Sequence, residues 1–192
     1  MSNAEKSAAL WRIETARLLL VGPDVAHAEA VNAGVCESLA ELAPWLPWAV
    51  GGQTLEQTRA FFTQATKQFE AREAFHWNLW LMDADPAFST QAFVGCVGLP
   101  RLNWDVPKFE IGYWARTSCV GRGYIGEGVE ALTRLCFDEL NAVRIEIKCL
   151  TENRRSRNVA ERAGYQLEGI AQHDARNPAG ELCDTAVYVR FR

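Results

Sequence analysis

The chain has 192 residues and a formal net charge of −4, with 48% hydrophobic and 23% charged residues. These values are typical of an ordinary globular protein that forms one domain with a sizeable core, here expected over residues 1–192. The negative charge argues against nucleic acid as the main partner, and it is compatible with cationic acceptors such as amines and basic protein tails.

No apolar run reaches the ~20 residues that span a bilayer, so no membrane association is expected. The six cysteines are scattered, without C-x-x-C pairs or histidine clusters beside them. This spacing predicts neither a metal site nor a disulfide framework, and it favours a reducing, cytoplasmic location. The sequence leaves the oligomeric state open.

The N-terminal quarter predicts a strand, a helix and a stiff aromatic turn. An apolar strand is expected over 13–23, and Asp24 is suited to the N-cap of a helix that ends near residue 33. Two prolines then lie next to Trp45 and Trp48, and they forbid a regular helix there. The two tryptophans form either a satellite hydrophobic cluster or the aromatic wall of a ligand pocket.

The next segment predicts a second helix and two paired strands. Thr54 and Gln57 form a capping-box pattern at the start of the helix. Strands are expected at 76–82 and 91–99, and their closeness in sequence predicts an antiparallel pair. A polar loop follows, in which Trp104 is another candidate pocket residue.

The most informative stretch of the chain runs from Phe109 to Leu140. Two-residue alternation predicts a strand over 109–115, in which Glu110 lies on the face opposite Phe109. Gly121-Arg122-Gly123 predicts a tight turn, and helical periodicity begins at Tyr124. Such a connection aims free backbone N–H groups and the positive end of the helix dipole at one point. It therefore suits an anion such as a pyrophosphate, beside which Arg122 adds a cation.

Other interpretations of the glycine turn stay open. A turn of this kind is equally common in a generic connection between a strand and a helix. The chain lacks a G-x-x-x-x-G-K-[ST] pattern, which argues against a nucleoside-triphosphate loop. Gly121, Gly123 and Gly126 have the spacing of a dinucleotide fingerprint, but Asn141 stands where the acidic residue of that fingerprint is expected.

The same stretch resembles motif A of the GNAT superfamily of acyl-CoA-dependent N-acyltransferases, and more narrowly its RimJ/RimL-type branch. The E-I-G-Y-W strand, the G-x-G-Y turn and Glu127 carry the resemblance, together with the apolar strand near the N-terminus. The usual Q/R-x-x-G-x-G/A pattern is met at Gly123, whereas Val120 and Ile125 depart from it. A β-branched residue at position 125 is expected to crowd the approach of a phosphate.

A second motif follows a strand expected at 143–149. Asn153, Ser156, Val159 and Gly164-Tyr165 match a pattern common in the family, N-x-x-S-x-x-V followed by G-F/Y. The two motifs stand in the family's order, and with the first strand the resemblance covers nearly the whole chain. Asn153 and Ser156 would serve equally well as helix caps.

The pattern of elements and the resemblance imply the same architecture. We expect an α+β fold: a single GNAT-like domain with a mixed, mostly antiparallel central sheet flanked by helices. The resemblance implies acetyl-CoA as co-substrate and no metal. It assigns CoA contacts to a strand backbone, the glycine turn and the second motif, which comprise Tyr113, Trp114, Ala115, Gly121, Arg122, Gly123, Tyr124, Ile125, Gly126, Asn153 and Ser156.

The resemblance also implies direct attack of a neutral amine on the thioester. By that resemblance Ser156 protonates the departing thiolate, and Asn153 holds the pantetheine or orders a water. Glu110 is the first candidate for the general base and Asp174 the second, while the three tryptophans become candidates for the acceptor pocket. Because an α-amine has a pKa of about 7.7–8.0 against about 10.4 for lysine, an N-terminal acceptor needs less help from a base.

The sequence therefore predicts an acetyl-CoA-dependent N-acetyltransferase that acts on a primary amine, most simply a protein or peptide N-terminus. Two alternatives stay open. One is a small-molecule acceptor, such as a polyamine, an amino acid or an amine antibiotic. The other is a CoA-binding sensor or interaction protein that kept the cleft and lost catalysis.

Overall fold

Eight strands form one sheet with helices on both faces. The computed structural model describes residues 10–84 and 88–192. In chain order, the strands and α-helices are β1 (Arg12–Glu14), β2 (Leu18–Val21), α1 (Ala28–Leu42), α2 (Leu55–Glu70), β3 (Phe75–Leu81), β4 (Phe93–Asn103), β5 (Lys108–Ala115), α3 (Tyr124–Asp138), β6 (Arg144–Leu150), α4 (Arg154–Arg162), β7 (Gln166–Arg176) and β8 (Leu182–Phe191). The strand order is β1-β2-β3-β4-β5-β6-β8-β7, and every neighbouring pair is antiparallel except β5 and β6. This mixed, mostly antiparallel sheet confirms the predicted α+β fold.

The sheet separates two apolar cores. On one face, α3 and α4 pack against the strands, and Leu132 lies with Phe109 and Ile111 in the main core. On the other face, α1 and α2 cover the first half of the sheet, and a smaller core contains Phe62 and Phe93. Burial of both faces stabilises the sheet through the apolar area removed from water. The helical periodicity of α3 correctly predicted which of its faces is buried.

Strands β5 and β6 separate part of the way along their length. Their parallel pairing covers three positions and ends where Glu110 lies opposite Glu146. β5 continues to Ala115 on its other neighbour β4, and β6 continues to Leu150 on β8. Beyond Glu110, the β6-facing edge of β5 therefore has no strand partner within the described residues. This opening is called the strand gap below.

The N-terminal strand differs from its predicted form. The segment 13–23 is a hairpin of β1 and β2 rather than one strand. Thr15 turns the chain, because its backbone N–H donates to the carbonyl of Leu18 at 2.9 Å and its Oγ1 accepts from the N–H of Leu18 at 2.9 Å. The prediction of a single strand was wrong because it relied on the apolar run alone. Local hydrogen bonds from a threonine can favour a turn over an extended strand.

The first helix is also longer than predicted. Asp24 caps a short 3₁₀ helix, Val25–His27, by accepting a hydrogen bond from the N–H of Ala26 at 2.8 Å. Helix α1 then continues to Leu42 rather than ending near residue 33, because the chain has no proline between Pro23 and Pro44. The capping box predicted at Thr54 and Gln57 is present at the start of α2. Among the described residues, no helix combines the length and the apolar character needed to cross a membrane.

An ion pair fastens α1 to the chain that leaves β5. Glu37 accepts from Arg116 Nε at 2.7 Å and from the N–H of Ser118 at 3.0 Å. Arg116 also donates to the carbonyl of Thr90, and its side chain is only 13% exposed. The hydrogen bond from Arg116 is the main reason that the pKa of Glu37 falls from 4.5 to about 2.

This pair predicts an acid-dependent loss of stability. Because the pKa of Glu37 is lower in the folded chain, its carboxylate stabilises the fold above about pH 4.5, and this contribution is lost as the pH falls towards 2. Glu37→Gln is therefore expected to lower the urea midpoint at pH 7 and to flatten its fall between pH 4.5 and 2. Glu29→Gln is the control, because Glu29 also lies on α1, and in its pair with Arg59 of α2 both side chains are more than half exposed. Equal effects of the two substitutions would contradict the prediction.

Candidate active site

The glycine turn lies between β5 and α3. Gly121 and Gly123 have φ angles of +81° and +78°, in the left-handed region that favours glycine. Helix α3 begins at Tyr124, as predicted, and the N–H groups of its first turn have no intrahelical acceptor. These N–H groups and the helix dipole together give the turn the geometry of an anion-binding site.

The surface in front of the turn has room for a ligand. A Cβ built on Gly121 or Gly126 meets no atom within 4 Å, and one built on Gly123 meets Arg17 Nη2 at 3.6 Å. Ile125 is half-buried and packs against the main core, and the crowding of a phosphate by its β-branched side chain stays a prediction. Arg122 is exposed beside the turn. The residues present therefore fit a pyrophosphate-bearing ligand.

Glu127 fastens this turn to the N-terminal hairpin. Its carboxylate accepts from Thr15 Oγ1 at 2.6 Å, from the backbone N–H of Arg17 at 2.9 Å and from Arg17 Nε at 2.7 Å. Burial opposes ionisation of Glu127, but the hydrogen bonds from Thr15 and Arg17 outweigh it and lower the pKa. Arg17 also donates from Nη1 to the carbonyl of Arg122 at 3.0 Å. Glu127, which helped to identify the motif, therefore stabilises the glycine turn through its contacts with Thr15 and Arg17.

The second motif lies beside the strand gap. Asn153 is the N-cap of α4, and its Oδ1 accepts from the N–H of Ser156 at 3.0 Å. The Ser156 hydroxyl therefore plays no part in the cap. Its Oγ lies 3.0 Å from the hydroxyl of Tyr113, which donates to the carbonyl of Ser156 at 2.8 Å. Because Tyr113 has one hydroxyl proton and gives it to that carbonyl, the Ser156 hydroxyl donates to Tyr113 in this arrangement.

The strand that contains Tyr113 forms one side of the gap. The predicted backbone contacts Tyr113, Trp114 and Ala115 all lie on β5 beyond the point where it leaves β6. Burial raises the pKa of Tyr113, so its phenol is neutral at physiological pH. A neutral phenol beside the Ser156 hydroxyl can donate a hydrogen bond without adding charge to the gap.

A cavity of about 730 Å³ lies on the other face of the sheet, between α1, α2 and strands β3–β5. This volume is within the range of small-molecule sites in proteins. Its walls are largely apolar, with Val31 and Val35 from α1 and Phe61 from α2. Trp48 and Glu110, predicted for the acceptor pocket and the base, both line it.

Glu110 has two cationic neighbours. Its Oε1 accepts from Arg101 Nη1 at 2.7 Å, and its Oε2 lies 3.6 Å from Lys148 Nζ. The Glu110 side chain is 13% exposed, whereas that of Arg101 is 75% exposed. A carboxylate at the cavity wall can bind an ammonium group or accept a proton from it. The two cations keep this carboxylate from being an isolated buried charge.

Three predicted site residues lie outside the cavity lining. Trp104, at the β4–β5 turn, donates its indole N–H to the carbonyl of Arg72 at 3.1 Å and packs on Phe109 with ring centroids 4.9 Å apart. Trp45 is half-buried at the end of α1 and does not line the cavity. Asp174 is exposed on the edge strand β7, which β6 and β8 separate from β5. The strand order sets the position of Asp174, which the sequence alone does not indicate.

His76 is a cavity residue that sequence reasoning missed. Its Nε2 lies 3.2 Å from Asn78 Oδ1, and the carbonyl-type oxygen requires Nε2 to be the protonated nitrogen. Burial lowers the pKa of His76 to about 4, so its ring is neutral at pH 7. The alternation of His76 and Asn78 with apolar residues along the predicted strand was the feature that could have indicated this position. The sequence did not show that this face borders a cavity rather than solvent.

Comparison of the sequence and the fold with known proteins identifies the class to which this protein belongs. Residues 17–166 match the family described as Acetyltransferase (GNAT) domain. This match covers well over half of the chain, and the chain belongs to that family.

One curated relative is the ribosomal-protein-serine acetyltransferase of Escherichia coli (strain K12), which is 32% identical over 105 residues, 54% of this chain and 58% of that protein. The matched segments cover between 43% and 65% of the lengths of the curated relatives.

Two solved structures share the fold. RimL, a ribosomal L7/L12 α-N-protein acetyltransferase in complex with coenzyme A, has a TM-score of 0.83 and 23% identity, over 94% of this chain and 97% of that one. The microcin C7 self-immunity acetyltransferase MccE, in complex with acetyl-CoA and AMP, has a TM-score of 0.83 and 20% identity, over 93% and 94%. At these identities the two structures establish the fold.

Proposed function

We propose that this protein transfers an acetyl group from acetyl-CoA to a primary amine, most simply the α-amine of a protein or peptide N-terminus. The observation that carries the proposal is the position of Tyr113. This residue lines the cavity, while its hydroxyl contacts Ser156 beside the strand gap. An amine held in the cavity and a thioester held in the gap would therefore be adjacent.

The glycine turn supports CoA as the acyl carrier. The first-turn N–H groups of α3, with Arg122 beside them, would bind the pyrophosphate. The unpaired backbone of Tyr113–Ala115 would bind the pantetheine by adding to the edge of β5. RimL and MccE share this fold and were solved with CoA and acetyl-CoA, which supports the same ligand here.

Four groups of this chain would divide the chemistry. Acetyl-CoA supplies the thioester, whose carbonyl carbon the amine attacks. N–H groups on the unpaired edge of β5 would donate to the oxygen that gains charge. Ser156 would give its hydroxyl proton to the departing sulfur while Tyr113 donates a hydrogen bond to Ser156 Oγ, and that oxygen would then regain a proton from solvent. Asn153 would keep Ser156 in place through its cap.

Glu110 is the candidate that accepts the proton of the amine. It lines the cavity, whereas Asp174 is exposed on β7 and lies outside the cavity lining. An α-amine of pKa ~8 is about 10% neutral at pH 7, so it needs about a tenfold contribution from a base rather than the thousandfold that lysine needs. The Glu110 carboxylate, which already contacts Arg101 and Lys148, would therefore suit an α-amine better than a lysine side chain.

A protein N-terminus is the acceptor that the comparisons support. A curated relative and a structural neighbour carry names that refer to ribosomal proteins, and the neighbour is named for α-N-acetylation.

All six cysteines are free thiols, which supports a reducing compartment such as the cytoplasm.

Acceptor-dependent release of CoA thiol tests this function. We expect turnover with acetyl-CoA and peptides that have a free α-amine. Blocking the α-amine of the same peptides while leaving a lysine side chain free should abolish most of it. CoA binding without turnover across the panel would instead indicate a sensor, and absence of CoA binding would contradict both functions.

The role of Glu110 has its own signature in the pH profile. Glu110→Gln is expected to lower kcat/KM by about tenfold at pH 7, because the amine is then mostly protonated and lacks its proton acceptor. At pH 9 most α-amines are neutral, so the deficit should nearly vanish. Asp174→Asn is the matched control and should change neither value. A deficit that is the same at both pH values would remove Glu110 from proton transfer.

A further inference from the structure

The cavity of the proposed acceptor site carries little net charge. Among the described residues that line it, Glu110 is the one carboxylate and Arg101 the one guanidinium, and the two are paired at 2.7 Å. A polyamine or a lysine-rich tail would need further acidic groups to compensate its additional charges. The negative charge of the whole chain therefore does not describe its acceptor site.

Two aromatic side chains expose apolar surface in this cavity. Trp48, in a short 3₁₀ helix that precedes α2, and Phe61, on α2, are each 44% exposed, and both line the cavity. The aliphatic residues Val31 and Val35 of α1 complete the wall. Apolar surface gathered in one concave site favours an apolar ligand, because its contact with water is lost on binding.

The floor of the cavity is free of side chains at two positions. His76 on β3 lies opposite Gly98 on β4, and Gly98 lies opposite Gly112 on β5. Residues directly opposite each other in antiparallel strands point to the same face, so these three form one row across the floor. A Cβ built on Gly112 meets only Pro100, at 3.6 Å, so the space above this glycine is open.

This floor lies between two polar groups. Glu110 is two residues from Gly112 on the same strand, about 7 Å away, and His76 is two strands away, about 10 Å. Because the His76 ring is neutral at pH 7, it does not repel a bound ammonium group. Its Nδ1 can accept a hydrogen bond, since Nε2 carries the proton.

We propose that the acceptor is an α-amine whose own side chain is large and apolar, aromatic or branched aliphatic. This inference rests on the proposed function and names the substrate class of the same site. The ammonium group binds at Glu110, and the side chain lies over Gly112, beneath Phe61 and Trp48. Small polar first residues leave the apolar wall exposed, and a lysine side chain places a second charge against it.

Four peptides that differ only in their first residue test the proposal: phenylalanine, leucine, serine or lysine, the last acetylated on its side chain in a parallel sample. Apolar pockets discriminate by tenfold or more for each methylene of difference. We therefore expect kcat/KM for the phenylalanine and leucine peptides to exceed that for the serine and unmodified lysine peptides by at least about tenfold.

Gly112→Val fills the floor and is the diagnostic variant. It should lower kcat/KM for the phenylalanine and leucine peptides by about tenfold or more, and change the serine peptide much less. Gly169→Val is the matched control, because Gly169 lies on edge strand β7 and a Cβ there meets no atom within 4 Å. Should Gly112→Val lower the melting temperature markedly, Phe61→Ala, at a half-exposed position on α2, removes the wall instead and should reduce the same preference.

The outcomes separate this inference from the function on which it rests. If the serine or lysine peptide is acetylated as well as the phenylalanine peptide, the apolar acceptor is wrong and the acetyltransferase stands. If no peptide is acetylated, the proposed function fails, and calorimetric titration of the phenylalanine and serine peptides then decides the inference. Tighter binding of the phenylalanine peptide supports it, and equal affinity overturns it.

Discussion

Ser156→Ala is expected to lower kcat by about 10²-fold, with little change in the KM for acetyl-CoA. The hydroxyl matters when the C–S bond breaks, so its loss raises the barrier without weakening ground-state binding. We expect the low end of general-acid contributions because a thiolate is a modest base and water can replace part of the hydroxyl. Steady-state kinetics of the purified variant, corrected for folded protein, measure the effect.

Asn153→Ala separates catalysis from capping at the same helix. In this structure the cap belongs to Asn153, whose Oδ1 accepts from the N–H of Ser156. Asn153→Ala should therefore lower the free energy of unfolding by about 1 kcal/mol, whereas Ser156→Ala should leave it nearly unchanged. A loss of turnover under threefold in Ser156→Ala, together with a clear loss of stability, would remove Ser156 from the mechanism.

Gly123→Val is expected to raise the Kd for CoA by at least about 10²-fold. Gly123 has φ of +78°, and a β-branched residue in that conformation is strained by about 1–3 kcal/mol. Its side chain would also stand where a phosphate must approach the N–H groups of α3, and would press towards Arg17 Nη2. Calorimetric titration with CoA measures the loss.

Two comparison variants identify the cause of that loss. Gly180→Val imposes a similar backbone strain, with φ of +85° in the β7–β8 turn, and should leave CoA binding unchanged. Arg122→Ala removes one exposed charge and should cost about 1 kcal/mol, roughly fivefold in Kd, because the backbone N–H groups remain. If Arg122→Ala abolished binding while Gly123→Val had no effect, recognition by the backbone would be the wrong explanation.

Local periodicity predicted the elements that carry the motifs. The strand at 109–115 and the helix that begins at Tyr124 are present, and β8 occupies Leu182–Phe191 as predicted. These segments have strong alternation or helical spacing, because one of their faces is buried against the core. Where local hydrogen bonds decided the conformation, as in the turn at Thr15, the same pattern predicted too long a strand.

Some features of the candidate site could be predicted from the sequence and others could not. Features set by residues close in sequence were predictable, whereas the side-chain hydrogen bonds were not. Glycine at positions 121 and 123 is explained by positive φ, which depends on residues close in sequence. Whether Ser156 or Asn153 provides the cap could not be decided from the sequence, since both residue types cap helices well. In the structure Asn153 Oδ1 accepts from the N–H of Ser156 and forms the cap, whereas the Ser156 hydroxyl contacts Tyr113, 43 positions away.

By itself, the sequence determined the α+β class, the glycine turn and the order of the two motifs, because these depend on short-range periodicity and on backbone angles. Only the tertiary structure decided which side chains share the cavity. Strand register brings His76, Gly98 and Gly112 into one row, and strand order leaves Asp174 on the far edge of the sheet. Alternation along a strand shows that two faces exist. What each face contacts is set by pairings between segments distant in the chain.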